Sequence, residues 1–149
     1  LCGRTLDALQ VWDAMRAVRW ALDERGFRLA AIRIFGRGDA GLVGLYAALF
    51  EPRIDQVVLQ SPPASHRDGP ALLGVLRITD VPEVAGLLAP RWLTFVGEPP
   101  AAFSMTRAAY RLAGAESRCQ IAENLVAAMR RAGPGAIPPP GGSSRHSEE

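Results

Sequence analysis

Ile32–Leu45, IRIFGRGDAGLVGL, is the stretch that decides the fold. It begins with a short apolar segment typical of a buried strand, passes through closely spaced glycines, and ends in an apolar segment of helical character. A strand that turns sharply into a helix brings backbone amides and the positive end of the helix dipole to one point. The stretch therefore predicts a strand–turn–helix unit whose turn, Gly36–Gly41, is a candidate functional site.

Two sequence patterns use this geometry, and GRGDAG at Gly36–Gly41 can be compared with both. The dinucleotide-binding pattern G-x-G-x-x-G is matched literally by Gly36, Gly38 and Gly41. The nucleophile-elbow pattern G-x-S-x-G is matched only if Gly38 stands at the position of the serine. The first pattern implies a phosphate-binding turn. The second implies a catalytic turn without its nucleophile.

The dinucleotide hypothesis needs an acidic residue at the end of the next strand, about 20 residues on, to bind the ribose hydroxyls. Gln60 stands there and Ser61 follows it, while Asp55 lies before that strand. A long amphipathic helix also precedes the first strand, where a dinucleotide-binding domain usually begins with the strand itself. Dinucleotide binding is therefore the least favoured of the functions that we consider for this sequence.

The composition predicts one soluble globular domain. The chain has 149 residues, of which 48% are hydrophobic and 21% are charged. No apolar run approaches the roughly 20 residues that span a bilayer, and no secretory signal pattern follows Leu1, so we expect no membrane partner and favour a cytoplasmic location. Because Leu1 is not methionine, we expect the chain to be a fragment or a processed product.

The numbers of charged residues and of potential metal-ligating residues exclude several kinds of chemistry. All 17 basic residues are arginine, so a Schiff-base lysine and a Walker-type lysine are both absent. The net charge of +2 is too small to indicate a nucleic-acid partner. Cys2, Cys119, His66 and His146 are too few and too far apart in the sequence to predict a zinc site. We expect neither a metal nor a cofactor.

Hydrophobic periodicity and turn residues predict alternating helices and strands. That order indicates an α/β fold, with a parallel sheet of about four strands and helices on both faces. Residues 1–132 form the predicted domain, and residues 133–149 (GPGAIPPPGGSSRHSEE) a disordered tail. Trp12, Trp20 and Trp92 are expected in the core. The predicted elements are helix Leu6–Glu24, strand Ala31–Phe35, helix Asp39–Phe50, strand Gln56–Gln60, helix Val81–Leu88, strand Trp92–Val96, helix Ala101–Ala113, strand Ser117–Ala122 and helix Asn124–Ala132.

Four segments in this order have the character of one known family. They are the helix GRTL…VWDAMRAV at Gly3–Val18, the strand and turn Ile32–Gly41, the link EPRI at Glu51–Ile54, and LAPR at Leu88–Arg91 before the strand Trp92–Val96. Together they resemble the acetyl-xylan-esterase-like α/β-hydrolases. The resemblance covers about residues 1–130 and implies the C-terminal part of such a domain, a partial α/β-hydrolase fold.

The resemblance also implies where a catalytic triad would lie. The nucleophile position is Gly38, which has no reacting atom, and the backbone of the elbow is Gly36, Gly38, Asp39 and Gly41. The acid would be Glu98, just after the strand Trp92–Val96, although a loop glutamate is more often simply solvated.

The histidine of such a triad belongs near Glu123 and Asn124, where none is present; His66 lies in another loop and His146 in the tail. Asp39 is a poor substitute nucleophile, and we expect it to cap the following helix. The leading hypothesis is an esterase-related domain without catalytic activity. The alternative is a noncatalytic interaction or scaffold domain that pairs with a missing N-terminal half or with another chain.

Overall fold

The computed structural model describes residues 5–24 and 31–130. These residues form four strands and five α-helices in alternating order. They are α1 (Leu6–Arg19, continued by a π-helical turn, Trp20–Glu24), β1 (Ile32–Arg37), α2 (Asp39–Phe50), β2 (Ile54–Gln60), α3 (Val81–Gly86), β3 (Trp92–Val96), α4 (Ser104–Leu112), β4 (Cys119–Ala122) and α5 (Leu125–Arg130).

The four strands form one parallel sheet in the order β1-β2-β3-β4. The register pairs Phe35 with Val58, Val58 with Thr94, and Thr94 with Gln120. Because each strand lies beside the next one in the sequence, all three crossovers run in the same direction. Because the four strands are parallel, their carboxyl ends all lie at one edge of the sheet, which we call the carboxyl edge.

Helices cover both faces of the sheet. On the first face, α2 packs over β1 and β2, α1 packs on α2, and α3 packs on α4. The large core on this face includes Leu42, Leu59, Phe95 and Tyr110, all of them almost fully buried. On the second face, α5 packs on β3 and β4, and a small cluster forms around Val58, Ala122 and Ala128. The α/β prediction with helices on both faces is confirmed.

The EPRI segment (Glu51–Ile54) and the LAPR segment (Leu88–Arg91) lie next to each other at the amino ends of β2 and β3. The Nη1 of Arg91 donates hydrogen bonds to the carbonyls of Ala48 at 2.6 Å and Ile54 at 3.1 Å, which satisfies the end of α2 and fixes the entry to β2. The carboxylate of Glu51 accepts from Arg19 and Arg53, both at 2.8 Å. Polar contacts therefore tie α1, α2, β2 and β3 together at this end of the sheet.

The structure corrects several sequence predictions about burial and element bounds. Trp12 and Trp20 are 49% and 46% exposed rather than in the core. The segment 101–103 is a 3-10 turn ahead of α4, and another 3-10 turn at 116–118 precedes β4. The predicted tail, residues 133–149, lies outside the described residues.

Candidate functional site

The turn between β1 and α2 has the backbone geometry of a sharp elbow. Gly38 ends the strand and caps α2, with φ 56° and ψ −132°, a conformation that L side chains rarely adopt. Its amide extends the β1–β2 ladder by donating to the carbonyl of Gln60 at 2.9 Å. A β-carbon at Gly38 would meet no atom of the described residues within 4 Å. The position expected for a nucleophile is thus held at the tip of the turn, and it faces open space.

Gly36 and Gly41, on either side of Gly38, allow β1 and α2 to pack closely. A β-carbon at Gly36 would lie 2.4 Å from the Cα of Gly41 and 2.7 Å from the carbonyl oxygen of Ala40. A β-carbon at Gly41 would lie 3.0 Å from the carbonyl oxygen of Gly36. The strand and the helix therefore cross at backbone contact distance. This close crossing explains the glycines at positions 36 and 41.

The expectation that Asp39 caps α2 is wrong. Gly38 is the N-cap residue and makes no side-chain cap, while Asp39 is the first residue of the helix and is exposed. A carboxylate at that position still interacts favourably with the helix dipole, but it accepts no capping hydrogen bond among the described contacts. Asp39 therefore has no geometry that would make it a substitute nucleophile.

The positions that the resemblance predicts for an acid and a base lie along the carboxyl edge, but the described side chains there do not form a triad. Glu98 follows β3, is largely exposed, and forms a 3.4 Å ion pair with Arg107. The turn after β4, where a histidine would stand, contains Glu123 and Asn124. The Oδ1 of Asn124 accepts from the amide of Ala127 at 2.9 Å and so caps α5. Neither the acid nor the base of a triad is assembled in the described residues.

Tyr46 and His66 form a hydrogen-bonded side-chain pair that the sequence analysis did not predict. His66 is 7% exposed, and its Nε2 lies 2.7 Å from the hydroxyl of Tyr46 on α2. Its Nδ1 lies 3.1 Å from the carbonyl of Pro70. A carbonyl only accepts, so Nδ1 bears a proton, and in the neutral imidazole Nε2 then accepts from the hydroxyl of Tyr46. Burial, with a contribution from Asp80, raises the pKa of Tyr46 to about 12, which disfavours a nucleophilic tyrosinate.

His66 therefore acts as a structural tie between α2 and the loop that follows β2. Its backbone amide also donates to Asp80 Oδ1 at 2.8 Å, and the same oxygen caps α3 through Val81. No sequence pattern indicates this contact, since Tyr46 and His66 are 20 residues apart.

Tyr46→Phe is expected to lower the free energy of unfolding by about 1 to 2 kcal/mol, because His66 Nε2 loses its donor in a buried site. Urea denaturation measures this loss. Nitrogen NMR of the neutral imidazole should report the Nδ1-protonated tautomer. Protonation at Nε2 instead would contradict the assignment.

The sheet order is relevant to the dinucleotide hypothesis. In open α/β sheets, ligands bind where the strand order reverses, so that two neighbouring loops diverge from a crevice. The described strands run β1-β2-β3-β4 without a reversal. Gly36, Gly38 and Gly41 form the predicted turn, but it lies beside an edge strand and next to Gln60 rather than an acid.

The fold and site together define an α/β protein with a parallel sheet and an elbow that has glycine at its tip. The chain matches no protein-family model, no curated protein and no solved structure. Within residues 5–24 and 31–130, no group of three or more His, Cys, Asp or Glu residues is placed to hold a metal ion. None of the helices in that part of the chain is long and apolar enough to cross a membrane.

Proposed function

We propose that the described part of this chain is the elbow-bearing portion of an α/β-hydrolase-like domain of esterase ancestry that has no catalytic activity of its own. The observation that supports this most strongly is Gly38. It combines a positive φ, open space and a position at the carboxyl edge, between a strand and a helix that cross at backbone contact distance. These are the geometric demands of a nucleophile elbow.

The contact between the EPRI and LAPR segments also supports the proposed descent of this chain from the esterase family. Both segments resemble the esterase family, and Arg91 of the second binds the carbonyls of Ala48 and Ile54 around the first. The order of the four strands places Gly38, Glu98 and the Glu123–Asn124 turn at the carboxyl ends of β1, β3 and β4. In that arrangement a nucleophile, an acid and a base would occupy the ends of three of the four strands, all at the carboxyl edge.

Inactivity follows from the side chains that occupy these positions. Glycine has no atom that can attack a carbonyl, and neither Glu123 nor Asn124 provides an imidazole to accept a proton. Backbone amides at the turn could orient an anion, but binding without a nucleophile and a base does not produce turnover.

The test is a pre-steady-state assay with p-nitrophenyl acetate on the full chain and on the Gly38→Ser variant. We expect no burst of p-nitrophenol from either protein, because the variant supplies a hydroxyl but no base. A burst of one equivalent from the unmodified chain would contradict the proposed inactivity. A burst from Gly38→Ser alone would show that a base does reach the elbow, and it would overturn the assignment of the missing histidine. Titration with NAD(P)H, followed by fluorescence, should give no saturable binding; saturable binding would favour the dinucleotide hypothesis.

A further inference from the structure

The loop between β2 and α3 presents large aliphatic side chains to solvent. It leaves the carboxyl end of β2 and ends at Asp80, the cap of α3, so it lies at the carboxyl edge. Within it Leu73, Leu76 and Ile78 are 71%, 49% and 89% exposed. We call residues 72–79, which contain these side chains, the loop patch. Exposed apolar side chains gathered in one segment mark a contact site for a partner molecule or a membrane.

The loop patch is fixed to the domain at both of its ends. On one side, the Oδ2 of Asp7 on α1 accepts from the amide of Ala71 at 2.7 Å. On the other side, the Oδ1 of Asp80 accepts from the amides of His66 and Val81, both at 2.8 Å. The exposure of the aliphatic side chains is therefore a property of a turn that is bonded to α1 and α3.

The backbone of the loop patch is hydrogen-bonded largely to itself. A 3-10 turn lies at its centre, and the amides of Val75, Arg77 and Ile78 donate to the carbonyls of Leu72, Gly74 and Val75 at 3.2, 3.1 and 2.9 Å. A backbone group that enters a lipid phase without a hydrogen-bond partner is costly. A turn with internal bonds therefore carries its side chains into an apolar phase at a lower cost than an open loop would.

The charge of the loop patch complements an anionic surface. Arg77 is its one charged residue; the side chain is exposed and forms no ion pair with another described residue. Asp7 and Asp80, the acids at the two ends of the patch, accept hydrogen bonds from backbone amides. Arg67 and Asp68, which come just before the patch in the sequence, offset each other in charge. The patch itself therefore presents aliphatic side chains around a single positive charge.

We propose that the loop patch binds the surface of an anionic phospholipid bilayer, with Leu73, Leu76 and Ile78 at the acyl boundary and Arg77 at the headgroup phosphates. Contact of this kind needs no spanning helix, so the expectation of no membrane partner, which rested on spanning segments, does not bear on it. Three aliphatic side chains and one arginine give an expected partition coefficient of roughly 10³ to 10⁴ M⁻¹. The proposal is independent of esterase ancestry and of the outcome of the acyl-ester assay.

The test is co-sedimentation of the full chain with vesicles of phosphatidylcholine alone and of phosphatidylcholine with phosphatidylserine, roughly 70:30. At about 1 mM accessible lipid, between half and nine tenths of the chain is expected to sediment with the anionic vesicles. Leu73→Ser and Ile78→Ser should each lower the partition coefficient about tenfold. Arg77→Gln should lower it about fivefold on anionic vesicles and leave it unchanged on phosphatidylcholine alone.

Leu112→Ser is the matched control, because Leu112 is an aliphatic residue that is 90% exposed. It ends α4, which leads back to the amino ends of the strands, at the opposite end of the sheet from the loop patch. This variant should bind like the unmodified chain, and circular dichroism verifies that each variant is folded. An unmodified chain that does not sediment with anionic vesicles would overturn the proposal, as would an equal loss in Leu73→Ser and Leu112→Ser.

Sedimentation velocity without vesicles distinguishes lipid from a second copy of the chain as the occupant of the loop patch. The unmodified chain and Leu73→Ser are both expected to sediment as monomers. A dimer of the unmodified chain that Leu73→Ser converts to a monomer would show that the patch contacts protein, and it would overturn the proposal.

Discussion

Gly36→Ala is expected to lower the free energy of unfolding by about 3 kcal/mol or more, and to leave little folded protein if the domain is marginally stable. The added methyl group would lie 2.4 Å from the Cα of Gly41 and 2.7 Å from the carbonyl oxygen of Ala40. Both neighbours are backbone atoms, so a change of rotamer cannot relieve the overlap. Instead β1 must separate from α2, and that movement opens the core around Leu42 and Leu59.

Gly38→Ala is the matched control for this prediction. It introduces the same methyl group two residues away, into open space, and its only cost is the strain of a positive φ, about 1 to 2 kcal/mol. Urea denaturation of the two variants and the unmodified chain gives both values on one scale. If Gly36→Ala is no more destabilising than Gly38→Ala, the close crossing of β1 and α2 is incorrect.

Glu51→Gln is expected to cost about 2 to 3 kcal/mol at neutral pH and almost nothing near pH 2. Hydrogen bonds from Arg53, followed by those from Arg19, hold the pKa of Glu51 at about 2, against an ordinary value of 4.5, although burial opposes this shift. A carboxyl whose folded pKa is depressed contributes its full stabilisation above its unfolded pKa and loses it as the pH falls towards the folded value. The window for the loss is therefore pH 4.5 down to about 2.

The measurement is the difference in unfolding free energy between the unmodified chain and Glu51→Gln, taken at several pH values from 7 to 2. The difference cancels the titration of all other acids. Arg19 and Arg53 are 45% and 40% exposed, so loss of the carboxylate does not strand a buried charge. Glu98→Gln is the control, because Glu98 is 76% exposed and its 3.4 Å contact with Arg107 contributes little. A difference for Glu51→Gln that does not change with pH would contradict the role given to this carboxylate.

Much of the fold could be predicted from local patterns. The bounds of α2 and β3 follow from an uninterrupted apolar run between clear breakers, and they were predicted to the residue. Short strands alternating with helices predicted a parallel sheet, because each strand needs a crossover to reach its neighbour. The spacing of Gly36, Gly38 and Gly41 predicted the turn, because few residues other than glycine permit both a positive φ and backbone contact.

Three features could not be predicted because they depend on distant partners. Periodicity alone does not show which of two apolar sides of α1 is buried, so Trp12 and Trp20 were wrongly placed in the core. The link between Tyr46 and His66 depends on how the loop after β2 folds back on α2. Asp39 was expected to be a cap, but α2 begins at Asp39 itself, so Gly38 takes the cap position; β1 also continues to Arg37, two residues further than predicted.

Covalent labelling asks whether the chain carries any activated serine, which the proposed lack of catalytic activity excludes. The full chain is incubated with a fluorophosphonate probe, which reacts with activated serines whatever their natural substrate, and is then analysed by intact-mass spectrometry. The mass of the protein is expected to stay unchanged. An adduct of one probe per chain, located on a serine such as Ser61 or Ser104, would contradict it.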